Sequence, residues 1–230
     1  AEAGEGRGSR HGVLRARSGF LVRRGAFWPR TAGRRVSPSA HAAVDCLVRH
    51  APFLAAGLLA TAAQVLLLRE LVVGAAGDEA AIGVGLAAWL LGIAGGAAVA
   101  RRRRLAGAPS DAALGLAALA LLPPLGMLAG RWLRLWVAPE AGELPGLGHV
   151  LAYALATLAP PGLAVGFTFT ALAASAARRW EAGEAITRLY VVESLGSLAG
   201  GLAATVLAGA STASLRAATL LAVIGALLAL

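Results

Sequence analysis

Five long runs without a single charged side chain dominate this sequence: Ala51–Leu68, Ala80–Ala100, Ala112–Gly130, Leu144–Ala177 and Ser194–Leu215. A helix crossing a hydrocarbon core of about 30 Å needs roughly 20 residues at about 1.5 Å each. Inside hydrocarbon every backbone N–H and C=O must find a partner within its own segment, so such runs fold as helices rather than strands. The expected fold class is all-α, a polytopic transmembrane helix bundle. The first run is expected to continue through Arg69-Glu70 toward Gly77. A sixth run, Ala217–Leu230, reaches a full span only if it starts near Ser211 with Arg216 at its wet end, which makes about six spans. With no polar flank after Leu230, the chain reads as part of something longer. Leu144–Ala177 exceeds one span, so Leu144–Gly148 is assigned to the preceding loop. Pro123-Pro124 and Pro160-Pro161 should each kink a helix or mark its first turn.

Composition closes the alternatives. Hydrophobic residues make up 58% of the 230 positions and charged residues 14%, against about 45–50% and about 25% in soluble domains. A water-facing surface cannot be covered with so little polar material, which excludes an ordinary soluble enzyme and a disordered tail. Cys46 is the only cysteine, so no intrachain disulfide framework exists.

All 21 basic residues are Arg, and they are segregated. Residues 1–50 carry ten of them with no apolar periodicity and read as a disordered Arg-rich leader ahead of a transmembrane domain at 51–230. With a cytoplasmic N-terminus, 17 Arg lie in inside segments (1–50, 101–111, 178–188) and four outside: Arg69, Arg131, Arg134 and Arg216. That distribution obeys the positive-inside bias and puts Trp132 and Trp136 in the outer interfacial belt, Trp180 in the inner one. The basic clusters therefore face anionic lipid, and nucleic acid is not an expected partner.

Charges within spans are expensive and are functional candidates. Arg69 and Glu70 end the first span and Glu193 lies early in the fifth. Gln64 shares a helix face with Leu68 and Leu71 and needs a partner inside the bundle. Arg69 and Glu70 project about 100° apart, so they should not neutralise each other. One reading places all these groups near the headgroups, snorkelling to water; the sharper one pairs Arg69 or a cationic ligand with Glu193. GxxxG spacings arise readily in a chain with 30 Gly, and Gly92/Gly96, Gly162/Gly166 and Gly196/Gly200 are three of those within the apolar runs. They carry little weight as dimerisation motifs but suit close helix packing. Gly83-x-Gly85-x-x-Ala88 follows no strand, so it is not a phosphate loop. No Ser-His-acid, metal or other catalytic constellation is found.

Two stretches carry a family resemblance. One is Gln64-Val-Leu-Leu-Leu-Arg-Glu-Leu-Val-Val with Gly77-Asp-Glu-Ala-Ala-Ile-Gly and Ala88-Trp-Leu-Leu-Gly-Ile-Ala-Gly-Gly. The other is Leu189-Tyr-Val-Val-Glu-Ser-Leu-Gly-Ser-Leu-Ala-Gly-Gly. Both resemble the multi-pass membrane domain of bacterial spermidine/spermine synthase-like proteins (polyamine aminopropyltransferases), as does Pro160-Pro161-Gly-Leu-Ala-Val-Gly-Phe-Thr-Phe. The resemblance covers roughly residues 55–225. It implies a bacterial inner (plasma) membrane protein whose partners are the lipid bilayer, a polyamine and a second copy of the chain. It also implies that the catalytic acids and the decarboxylated S-adenosylmethionine site belong to a soluble domain absent from this sequence, so no cofactor and no catalytic residue is assigned here. Arg69, Glu70, Asp78, Glu79 and Glu193 match motif positions, and with Gln64 they form the expected substrate-binding set. The alternative is a stand-alone transporter-like or structural multi-pass membrane protein.

Overall fold

A computed structural model describes residues 40–103, 107–137 and 145–210, together with 216, 218–220 and 223. The leader expected up to residue 50 lies outside them as far as residue 39, and so does most of the expected sixth span. The described residues form six helices and no strand: α1 (Ala40–Gly74), α2 (Ala80–Arg102), α3 (Pro109–Val137), α4 (Leu147–Thr157), α5 (Ala159–Ala177) and α6 (Ala182–Ala210). α4 and α5 are two parts of one apolar rod, which leaves five segments long and apolar enough to cross a membrane.

The helices run past the charge-free runs. α1 starts at Ala40 instead of near residue 51, and α6 starts at Ala182, twelve residues before Ser194. Charge sets how much of a helix can sit in hydrocarbon, not where helical hydrogen bonding ends. The first turns of α6 are water-compatible, and Glu184 pairs with Arg188 one turn on at 2.6 Å, an arrangement that supports a solvated helix. The Pro-Pro at 160–161 marks a first turn, as expected: α4 ends at Thr157, Leu158 caps both helices, and the prolines lie in the first turn of α5. Pro123-Pro124 lies within α3.

α1 is the axis of the bundle and contacts all five other helices. Leu59, Leu66, Leu67 and Leu71 on α1 meet Trp89, Leu119, Met127, Val150 and Leu158 in the main apolar cluster. α1 packs most extensively along α6, and α2 along α5. Both pairs are parallel: Gly196 and Gly200 of α6 sit on the Leu54 and Leu58 carbonyls of α1. On the other pair, Gly92 and Gly96 of α2 face Ala159 and Leu163 of α5, while Gly162 and Gly166 face Trp89 and Ile93. These six glycines thus lie where a Cβ would strike a neighbouring backbone carbonyl. Their use is intramolecular, since Gly lets helix backbones close to contact distance.

The outer faces are as apolar as the core. Leu90, Leu91, Leu121, Leu198, Leu202 and Val206 are each more than half exposed. A helix that is apolar all round belongs in lipid or a large core. Hydroxyls behave accordingly: Thr157, Thr168, Thr170 and Thr205 each donate to the carbonyl four residues back, so these four donors are not bare in hydrocarbon. The chain is a multi-pass membrane protein.

Candidate functional site at the Glu70 end of the bundle

Two polar layers bracket the apolar rods. At one end Trp180 stacks on His50 with ring centroids 5.9 Å apart, touches Phe53 and carries the Arg188 guanidinium over its face. The other end is organised by Glu70. On α1, His50 and Glu70 are twenty residues apart, about 30 Å of helix, which is the thickness of a hydrocarbon core. Both layers therefore sit at headgroup depth, and no charge lies at mid-membrane on α1.

Glu70 is buried. Arg131 of α3 donates to its Oε1 at 3.1 Å, and Arg134, one turn on, reaches Oε2 at 3.5 Å. Arg134 also donates to the Glu70 backbone carbonyl in the last turn of α1 and to the Tyr153 hydroxyl of α4 at 3.3 Å, and it lies over the Tyr153 ring. The Arg134 Nε–H is buried with no acceptor among the described residues. Gly74 makes room for this guanidinium; a Cβ there would crowd its Nε and Nη2. One side chain thus ties α1, α3 and α4 together. Carbonyls ending a helix are acceptors and the negative pole of its dipole, so a cation belongs there.

Arg69 does not join this network. It points the other way around α1 and donates to the Ala208 carbonyl of α6. The divergence of Arg69 and Glu70 agrees with their 100° spacing. The pairing of Arg69 with Glu193 is not what the helices produce. Because α1 and α6 are parallel with Glu193 level with Gly57, the two residues lie about a dozen positions apart in height, some 18 Å. Glu193 is half-buried and accepts from Ser197 Oγ at 2.8 Å; no cation reaches it among the described residues. Gln64 is half-buried on α1 and joins neither group. Asp78 and Glu79 are exposed in the short connection after α1. Asp78 Oδ1 accepts the Ala80 N–H at 2.9 Å, so it caps α2, while the Glu79 side chain makes no cap bond.

Three participants escaped the sequence reading. Arg131 and Arg134 were counted only as outside topology charges, and Tyr153 was passed over within an apolar run. A local signal did exist: an i,i+3 pair of Arg at the end of an apolar run presents two charges on one helix face. Their partner, however, is more than sixty residues away in sequence. Beside the network lies a cavity of about 220 Å³, walled by Leu71, Leu133 and Val150 and lined by Arg134, Tyr153 and His149. No family model, no curated protein and no solved structure matches the chain.

Proposed function

We propose that this chain is the integral membrane module of a polyamine aminopropyltransferase (spermidine synthase-like) protein of the bacterial inner membrane. It anchors the enzyme, and the chemistry belongs to a soluble domain that takes decarboxylated S-adenosylmethionine. The observation behind this reading is the placement of the two stretches that carry the resemblance. One supplies α1 with Arg69, Glu70 and the capping loop at Asp78; the other supplies α6 with Glu193, Ser197, Gly196 and Gly200. The helices that carry them, α1 and α6, form the most extensive pair of the bundle, with the second stretch level with the residues of α1 that precede Gln64.

Polyamine contact falls to Glu193 in this reading. Glu70 is already held between two guanidinium groups, whereas among the described residues the Glu193 carboxylate has only a hydroxyl donor, and a carboxylate at low local dielectric attracts ammonium groups. The test is aminopropyl transfer by the complete gene product in membranes. Activity that moves to the soluble fraction when residues 40–230 are deleted is the expected result. A reading frame closing at Leu230, or no transfer by the complete product, overturns the proposal. The interrupted rod α4–α5, broken at Leu158, favours the second reading, a stand-alone transporter-like protein, because interrupted spans are a device of transporters.

A further inference from the structure

The cavity beside Arg134 has a chemistry that the anchoring role does not use. We propose that it is a headgroup site for one anionic phospholipid, whose phosphate lies against the Arg134 guanidinium. The inference rests on the chain spanning a membrane and not on its being an aminopropyltransferase module.

Charge comes first. The network holds one carboxylate, Glu70, against two guanidinium groups, Arg131 and Arg134, so among the described residues one positive charge is left over on partly exposed side chains. The Arg134 Nε–H, buried and without an acceptor among the described residues, is the kind of group that ordinarily has a partner in a native structure. Guanidinium groups match phosphate geometry and form strong charge-assisted bonds to it. The Tyr153 hydroxyl and the exposed His149 stand at the same cavity.

Shape and depth then choose among anions. The remaining walls are apolar, Leu71, Leu133 and Val150 among them; a small hydrated ion gains nothing from such walls, while the glycerol and upper acyl carbons of a lipid do. The cavity lies at the Glu70 layer, about 30 Å along α1 from the Trp180 layer, which puts it at the edge of the hydrocarbon core, where headgroups begin. The phosphate monoanion could be delivered by a lipid or from solution, and the experiment separates the two.

The chain is reconstituted in nanodiscs of phosphatidylcholine alone or mixed with phosphatidylglycerol. Bound lipid is counted by native mass spectrometry and stability is read by thermal unfolding. The expected result is one retained phosphatidylglycerol per chain and a higher Tm in the mixed bilayer, with no shift from inorganic phosphate. Combining Tyr153→Phe with His149→Ala, which leaves both Glu70 ion pairs in place, should lower retention about tenfold, or about 1.4 kcal/mol. Gly74→Ala, which crowds the guanidinium, should lower it too. Equal retention of both lipids, retention unchanged in the double variant, or an equal Tm rise with inorganic phosphate overturns the proposal. Glu140 and Glu143, which precede α4 in the sequence and lie outside the described residues, provide a further control. If Glu140→Gln with Glu143→Gln creates or raises phosphatidylglycerol retention, those acids and not a lipid neutralise Arg134, and the proposal fails. Retention unchanged from wild type in that variant sustains it.

Discussion

Glu70 is held from two sides, and its two partners are not equivalent. Arg134 serves a carboxylate oxygen, a backbone carbonyl and a phenol at once, while Arg131 serves one oxygen from a side chain that is 43% exposed. Replacing Glu70 with Gln leaves two guanidinium groups facing a neutral amide; a loss of about 1–3 kcal/mol is expected for stripping a charged group of its partner, read as a lower Tm in detergent. Arg134→Lys keeps the charge and loses the fork, so it should destabilise more than Arg131→Lys. The reverse order would remove Arg134 from its tying role. Glu193→Gln retains a Ser197 partner and should cost under about 1 kcal/mol. Under the polyamine reading it should also abolish the Tm rise produced by spermidine. At this scale the sequence disclosed which residues were unusual but not what they touch. The divergence of Arg69 and Glu70 follows from helix geometry alone, whereas the Arg131–Glu70 and Arg69–Ala208 contacts depend on how helices far apart in sequence pack.

Between elements, glycine position decides. A Cβ at Gly96 or Gly166 would strike the Leu163 or Ile93 carbonyl, while Gly83 on the same helix as Gly96 has open space around it. Gly96→Ala and Gly166→Ala should therefore each force α2 and α5 apart at a cost of about 1–3 kcal/mol. Gly83→Ala should be neutral or stabilising, by up to about 1 kcal/mol, because Ala is the better helix former. Equal effects at Gly83 and Gly96 in thermal unfolding would mean that α2 and α5 do not meet along this line. Composition hid the distinction, since a chain with 30 Gly produces GxxxG spacings readily and only the packed neighbour separates a contact glycine from an idle one. Pro160-Pro161 marks the break at Leu158, but Pro123-Pro124 lies inside the continuous α3, so the loss of two helical donors does not by itself locate a break.

The bundle as a whole was the most legible level. Lipid imposes one rule on every segment, so charge-free runs located all five described spans without reference to their neighbours. Helix ends were misjudged for a physical reason: α1, α3 and α6 overrun the hydrocarbon into water, where charge no longer marks a boundary. The described cations fit a sided molecule. Arg101, Arg102, Arg103, Arg178 and Arg179 cluster at the end opposite Glu70, with Asp78 and Glu79 beyond the Glu70 end. Cysteine accessibility in sealed vesicles tests this arrangement most directly. In a Cys46→Ala background, Asp78→Cys and Arg102→Cys are treated with a membrane-impermeant maleimide in right-side-out and inverted vesicles. Labelling of Asp78→Cys only in the first and of Arg102→Cys only in the second is expected. Labelling of both positions from the same side would contradict a bundle that crosses the bilayer.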